Sequence, residues 1–311
     1  IGSDWYKGTA DAIYQNMYAI QDQNPHLVLI LAGDHIYRMN YKEMIDVQAK
    51  HGADAVVACV PMPKDMSTSF GVVQMDDSGR VMGFQEKPIE PKTIPGKPDQ
   101  ILASMGIYLF SRDALVTELA VDAEDRDSDR DFGKNVIPSM LKRGKKVFVY
   151  NFMDDNGQPK YWRDIGTRDA YYQANMDLVK PKTPMDIFDR SWPVRTHHPH
   201  FPPVKALSTS AGPCSIVDSL IGGGCLIEGA RVEKAILSHN VKVLDQAEVK
   251  ESIIMEGSVI GAGAKIRRAI IDKEVVVPPG ATIGYDQDLD QKRFVLTTSG
   301  IVIVPKRTKI A

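Results

Sequence analysis

The sequence predicts an α/β domain built on a mixed sheet, followed by a parallel β-helix. Three observations carry that reading. Val28 to Leu31 is an unbroken aliphatic run that stops at Gly33-Asp34, the pattern of a central strand buried on both faces. Residues 1 to 180 alternate helical and strand patterns, which gives a layered α/β domain. Twelve aliphatic residues then succeed one another at spacings of 6, 6, 5, 6, 6, 5, 6, 6, 5, 6 and 6.

In the first part, Thr9 has the chemistry of an N-cap, and Ile13, Met17 and Ile20 behind it share one helical face. The buried strand ends near Asp34, which would sit at the carboxyl edge of the sheet, where ligands of open α/β sheets collect. A helix follows through Tyr41–His51, and Ala53 to Val60 is a second aliphatic run. Phe70–Asp76 and Arg80–Glu86 read as a hairpin turning at Asp77-Ser78-Gly79, and Leu102–Phe110 as another strand.

The aliphatic series is Leu220, Leu226, Val232, Leu237, Val243, Val249, Ile254, Ile260, Ile266, Ile271, Val277 and Ile283. A helix needs spacings of 3 and 4, and a strand a spacing of 2. Spacings near 6 place one inward aliphatic on each short strand, with three strands to a coil, the hexapeptide-type β-helix. Such coils are expected to be left-handed, against the usual crossover rule. Between the two parts, Pro181, Pro184, Pro193, Pro199, Pro202, Pro203 and Pro213 mark a linker. The expected division is therefore 1–180, a linker at 181–213, and a β-helix at 214–311.

Composition narrows the function. Hydrophobic residues make up 43%, charged residues 25%, and the net charge is −2, which gives no electrostatic case for nucleic acid or an anionic membrane. No apolar stretch reaches the roughly 18 residues of a membrane span. Cys59, Cys214 and Cys225 are too few and too scattered for a disulfide framework or a zinc site, so a reducing cytoplasm is the expected compartment. His197, His198 and His200 lie close together, but no cysteine or carboxylate pattern accompanies them, and a solvated loop is the better reading. Gly222-Gly223-Gly224 and Gly261-Ala262-Gly263 lack a strand–turn–helix context. Asp131-Phe132-Gly133 mimics the kinase metal triplet without its companion loops and reads as structural.

Several short motifs occur in fixed order: Trp5-Tyr6-Lys7-Gly8-Thr9-Ala10-Asp11-Ala12, Leu31-Ala32-Gly33-Asp34-His35, Ser69-Phe70-Gly71-Val72, Glu86-Lys87-Pro88, Ala103-Ser104-Met105-Gly106-Ile107-Tyr108, and Tyr161-Trp162-Arg163-Asp164-Ile165-Gly166-Thr167. Each has a plain structural reading. Glu86-Lys87 could be a solvated strand end, Asp164 a helix cap, Tyr6 a core aromatic, and Ser104 a strand serine bonded to backbone. In this order, and ahead of a β-helix, they resemble the bacterial glucose-1-phosphate adenylyltransferases of glycogen synthesis. The resemblance extends through Asp189-Arg190-Ser191-Trp192-Pro193.

That resemblance implies a nucleotide-diphospho-sugar transferase-like fold. It implies a reaction joining ATP and α-D-glucose 1-phosphate into ADP-glucose and pyrophosphate, with Mg2+ as cofactor. Position by position, Asp34 and Asp164 match the metal aspartates and Lys87 the lysine on the sugar phosphate. Glu86 and Ser104 match contacts to the glucose hydroxyls, and Tyr6 and Gly71 match further sugar-phosphate contacts. The Gly8-Thr9 turn matches a segment against the nucleotide, where free helix-terminal amides suit an electron-rich ligand. The family is typically homotetrameric and answers to anionic metabolites. Lys265, Arg267, Arg268 and Lys273 are either part of such an effector site or a solvated face.

The family's glycine-rich, arginine-ending phosphate loop has no counterpart before Trp5. The 311 residues are therefore expected to lack an N-terminal segment, to bind ATP poorly on their own and to be inactive without it. Three other functions compete: a sister enzyme using UTP, dTTP or GTP, a silent regulatory subunit, and an acyltransferase. Retention of Asp34, Lys87 and Asp164 speaks against the second. The third would rest on His239 alone, which accounts for none of the first 170 residues.

Overall fold

Seven consecutive residues, Ala55 to Pro61, are buried, and the first sheet is laid around them. The computed structural model describes residues 5–197 and 199–310. In chain order the elements are α1 (Thr9–Tyr14), α2 (Met17–Gln23), β1 (Leu27–Ile30), β2 (His35–Tyr37), α3 (Lys42–His51), β3 (Ala55–Pro63), β4 (Gly71–Met75), β5 (Val81–Glu86) and β6 (Gln100–Ser111). There follow α4 (Arg112–Glu124), α5 (Ile137–Lys142), β7 (Val147–Asn151), β8 (Trp162–Asp164), α6 (Arg168–Leu178) and β9 (Lys205–Leu207), ahead of a series of two- and three-residue strands. The chain forms two compact bodies. One runs to Gly33 and from Met39 to Lys160, and the other takes Asp34–Arg38 and everything from Tyr161 onward.

In the first body the strand order is β5-β4-β6-β3-β7, with β1 also paired to β6. Strands β3 and β7 are parallel, while β3 and β6 are antiparallel, so the sheet is mixed. Phe110, Leu115, Leu119, Phe132, Ile137 and Met140 form a core on one face. Strand β1 departs from expectation. It runs antiparallel to β6, all four of its residues are only half-buried, and its other edge carries no strand among the described residues. An aliphatic run signals burial without saying on how many sides. The hairpin of β4 and β5 forms as the sequence predicts.

Strand β6 carries an irregularity that matters for the site. Val57 pairs with Tyr108 and Cys59 with Ser104, so β6 spends four residues where β3 spends two. Gly106 lies inside this bulge at φ 66°, a left-handed conformation that glycine adopts without penalty.

In the second body β2 and β8 form an antiparallel pair, with His35 opposite Asp164. Thr167 caps α6 by accepting from the Ala170 amide at 3.1 Å. Tyr172 of α6 packs with Ile253, Ile270 and Ile301 of the coils, and its hydroxyl donates to the Glu251 carbonyl at 2.6 Å. Asp169 accepts from the hydroxyls of Thr297 and Thr298 at 2.6 and 3.1 Å. Helix α6 is thereby fastened to the β-helix by apolar and polar contacts together.

Three parallel ladders make the β-helix. From Val232 onward the expected inward residues are all buried, stacking Val232 on Val249 on Ile266 on Ile283. The first two positions are corrected by one residue. Ile221 stacks on Leu237 and Ile227 on Val243, leaving Leu220 and Leu226 against Ile236 and Lys242, outside the inward column. The first coil is 16 residues long where later ones are 17, and a one-residue slip exchanges the two faces of a strand. Strand β9 already pairs with Leu226–Glu228, so the proline-rich stretch contributes to the solenoid. Coil corners recur at the same period: Lys234, Glu251 and Arg268 all have positive φ, and their amides reach the carbonyls of Val217, Glu233 and Lys250 one coil back.

Ile227→Ala empties a filled position in this column and should lower stability by roughly 2–4 kcal/mol, whereas Leu226→Ala should lose under about 1 kcal/mol. Urea denaturation of the two variants checks the register. A larger loss in Leu226→Ala than in Ile227→Ala would return the inward column to Leu226.

Candidate functional site

The sugar-site residues of the sequence reading all belong to the first body. The bulge at Gly106 brings Ser104 and Tyr108 of β6 together. The Gly106 amide donates to Ser104 Oγ at 3.3 Å, and the Ser104 hydroxyl lies near enough to the Tyr108 phenol to favour its ionised form against burial. Burial pushes the Tyr108 phenol well above its usual range. Glu86 closes β5, opposite Gly71. Its carboxyl is raised above the ordinary carboxylate range, first by burial and then by the charge of Asp131. A Cβ on Gly71 would lie 2.6 Å from the Phe84 ring, and one on Gly133 would lie 2.7 Å from Glu86 Oε2. A side chain at either glycine would therefore displace Phe84 or the Glu86 carboxyl. Lys87 is exposed and left-handed, at φ 46°, and its amide donates to the Phe70 carbonyl at 3.2 Å. A non-glycine residue in that region stores about 1 kcal/mol of strain, here at a position the sequence singled out.

Tyr6 is 56% exposed, with its hydroxyl accepting from Asn16 at 3.1 Å. Gly8 occupies the N-cap position of α1, with no side chain to cap it, and Thr9, expected as the cap, is the first helical residue. The Thr9 hydroxyl instead donates to Asp131 Oδ2 at 2.9 Å and accepts from the Phe132 amide at 3.2 Å. The helix-terminal amides expected to be free are engaged: those of Ala10 and Asp11 both donate to the Arg130 carbonyl, at 2.8 and 3.3 Å. Asp131 is what the sequence reading missed here. Its Oδ1 accepts from the Gly133 and Lys134 amides at 2.9 and 3.0 Å, while its charge acts on Glu86 and Tyr108. The Asp-Phe-Gly triplet was visible, but without a kinase context it suggested only structure.

The two metal aspartates of the sequence reading meet in the second body. Asp34, His35 and Asp164 bring ligand atoms within 4.8 Å of one another. Asp34 is 62% exposed and His35 only 11% at the side chain. The Ile165 amide donates to the Asp34 carbonyl at 3.0 Å, and the Gly166 amide to Asp164 Oδ1 at 2.8 Å. A Cβ on Gly166 would fall 3.1 Å from Asp164 Oδ1 and 3.7 Å from Asp34 Oδ2. The glycine thus keeps the space in front of both carboxylates clear. Oxygen donors with open space before them fit a hard divalent cation.

The strand carrying Asp164 is held from behind. Buried Asp177 of α6 accepts from the Tyr161 hydroxyl at 3.0 Å and from Arg163 Nε at 3.1 Å, and pairs with Lys180 at 2.6 Å. Burial alone would raise this carboxyl, but Lys180, Tyr161 and Arg163 outweigh it and hold it below the usual range. The Tyr161 phenol is pushed up to about 12 by burial and by Asp177.

Comparison with known proteins gives this arrangement its setting. Residues 3–180 match the family described as nucleotidyl transferase, and residues 202–304 the GlmU-like, C-terminal hexapeptide family. A glucose-1-phosphate adenylyltransferase of Anaeromyxobacter sp. (strain Fw109-5) is 43% identical over 100% of this chain and 78% of its own length. Glucose-1-phosphate adenylyltransferase 2 of Pseudoalteromonas atlantica is 42% identical over 97% of this chain and 73% of its own, and the enzyme of Rhodopirellula baltica is 42% identical over 100% and 71%. This chain belongs to the glucose-1-phosphate adenylyltransferase family.

Other expectations for this adenylyltransferase family member meet the structure as follows. Among the described residues, His197 and His200 join no group of metal-binding side chains, and His198 lies outside them. No described helix is long and apolar enough to cross a membrane. Of the basic residues on the coils, Lys265 pairs with Glu248 at 3.5 Å and Arg267 with Glu251 at 3.7 Å. Arg268 donates to the Ser299 carbonyl at 2.9 Å.

Two outcomes follow. Glu86 is disfavoured as an anion, so it subtracts stability as pH rises from the ordinary glutamate pKa of about 4.3 through its raised value. Asp131→Asn should bring the Glu86 carboxyl, followed by 13C NMR, to titrate at lower pH than in the parent. Asp177 has the opposite sign. Its stabilisation is present above about pH 3.9 and fades as pH falls through its depressed folded value. Asp177→Ala removes the shared acceptor of Tyr161, Arg163 and Lys180, whose two cations are half-exposed and return to water, and should lose roughly 1–3 kcal/mol in urea denaturation at pH 7.

Proposed function

We propose that this chain transfers the adenylyl group of ATP to α-D-glucose 1-phosphate, releasing ADP-glucose and pyrophosphate, in the cytoplasm and for glycogen synthesis. The observation that carries this is the Asp34–Asp164 pair, with Gly166 open before it, in a chain whose relatives bear that name along its whole length.

The sugar phosphate is already a dianion near neutral pH, because the second pKa of a phosphate monoester is about 6. Its oxygen attacks the α-phosphorus directly, the bond to the β-phosphate oxygen breaks, and pyrophosphate departs with that electron pair. No general base is needed, so the protein's task is holding and charge balance. Asp34 and Asp164 would hold Mg2+, which when bound neutralises charge on the phosphate oxygens. Lys87 sets an ammonium against the sugar phosphate. Glu86 and Ser104 take the glucose hydroxyls, Tyr6 and Gly71 line the same ligand, and Gly8-Thr9 lies against the nucleotide. Burial and the Asp131 charge raise the Glu86 carboxyl, which makes it a stronger acceptor toward such a hydroxyl.

A homotetramer and an anionic metabolite effector belong to the same reading. Lys265, Arg267, Arg268 and Lys273 are the cations that would meet such an effector, exchanging the surface pairs of Lys265 and Arg267 and the Ser299 bond of Arg268 for the anion. A sister enzyme with another nucleotide shares every residue named, and nucleotide comparison separates the two.

The test is pyrophosphate release from glucose 1-phosphate by the full-length natural protein, comparing ATP, UTP, dTTP and GTP with Mg2+. ATP should be preferred, Asp34→Ala should lose at least about 100-fold in rate, and Lys87→Gln should act mainly on the KM for glucose 1-phosphate. Preference for another nucleotide would move the chain to the sister activity. No release from a folded protein would leave it a silent subunit.

A further inference from the structure

We propose that His35 is a positioning residue for Asp34: its ring presents an Nε2–H to the carboxylate, in a tautomer that Trp162 selects. The inference rests on reading Asp34 and Asp164 as holders of a divalent cation.

The geometry begins with the two-stranded pair. His35 lies directly opposite Asp164, and Trp162 stands two residues before Asp164 on the same strand. Residues two apart share a face, and diagonal neighbours across an antiparallel pair are within reach of large side chains. The indole Nε1 accordingly approaches His35 Nδ1 to 3.4 Å, with the rings edge-on, centroids 5.3 Å apart and planes at 90°. Trp162 is buried and the His35 side chain 11% exposed, so this contact is sheltered from water.

An indole N–H can only donate. Nδ1 of His35 must then be the acceptor, and the neutral ring carries its proton on Nε2. That nitrogen lies 3.9 Å from Asp34 Oδ1, about 1 Å beyond a hydrogen bond, and the exposed carboxylate must close this gap when a cation binds. A protonated Nε2 has no lone pair for a cation. His35 is therefore not a ligand, although its position beside two carboxylates makes it look like one.

What it does is divide the two oxygens of Asp34. Oδ1 faces His35, while Oδ2 lies toward the clear space at Gly166 that Asp164 Oδ1 also borders. Holding the exposed Asp34 carboxylate by one oxygen leaves the other aimed where Asp164 points. Ligating carboxylates are commonly oriented in this way, and loss of the orienting group costs 10–100-fold in metal affinity.

The experiment is Mn2+ binding to the full-length protein with ADP-glucose present, followed by electron paramagnetic resonance. It is paired with 15N NMR of the His35 ring. The parent should bind Mn2+ and show the Nε2–H tautomer, with no directly bonded nitrogen in the electron spin-echo envelope. His35→Phe should weaken Mn2+ at least tenfold, and His35→Gln, whose amide N–H can stand in for Nε2–H, should restore most of the affinity. Trp162→Phe should mix the tautomers. Unchanged affinity in His35→Phe, an Nδ1–H tautomer in the parent, or a nitrogen bonded to Mn2+ would each overturn the proposal. Asp34→Asn separates the two levels: if it binds Mn2+ like the parent, the reading of Asp34 as a metal holder fails before His35 is at issue.

Discussion

Three residue pairs of antiparallel backbone, His35–Tyr37 against Trp162–Asp164, are the constraint on which the candidate metal site depends. The segments are more than a hundred residues apart in sequence, and each is only three residues long. So short a pair has little stability of its own. It persists because its neighbours are fixed: Asp177 grips Tyr161 and Arg163, and the helix bearing Asp177 is bolted to the coils through Tyr172 and Asp169. The carboxylates thus inherit their spacing from the β-helix, by way of one helix and one ribbon.

The first body solves a different problem, how to place polar groups at the end of an apolar sheet. It uses irregularity. The four-for-two bulge around Gly106 turns Ser104 and Tyr108 toward each other, and the left-handed Lys87 redirects the chain after Glu86. Asp131 serves twice, fastening the Gly133 and Lys134 amides while leaning electrostatically on Glu86. Fixed charges and close-fitting glycines at this end are what preorganisation means physically: the polar environment is set before a ligand arrives.

What could be read from the chain follows from how local each signal is. The β-helix was legible because its period is repeated in every coil, and even there the first coil misled by one residue. Leu220 and Leu226 are as aliphatic as Ile221 and Ile227, and only pairing with the next coil decides which face inward. Asp34 and Asp164 announced themselves by motif, and the structure brings their oxygens together. Strand β1 misled because half-burial and full burial select the same residues. Thr9 has the chemistry of a cap, yet its hydroxyl is engaged by Asp131, 122 residues away, a partner no window of sequence contains. Asp131 was missed for the same reason. The charge it exerts on Glu86 exists only once β5 and the turn after α4 are folded beside each other.

The late coils show how such a solenoid takes on added sequence. Ile271 still stacks on Val304 although helix Gln287–Arg293 and a further strand intervene. The extra chain leaves at a corner and returns in register, with buried Asp290 tying it down through the Gly284 amide and Arg293. Because each coil touches only the coils above and below, its corners work as ports. Material can be threaded out and back at any of them while the column inside goes on undisturbed, so the scaffold can gain new surface without renegotiating its core.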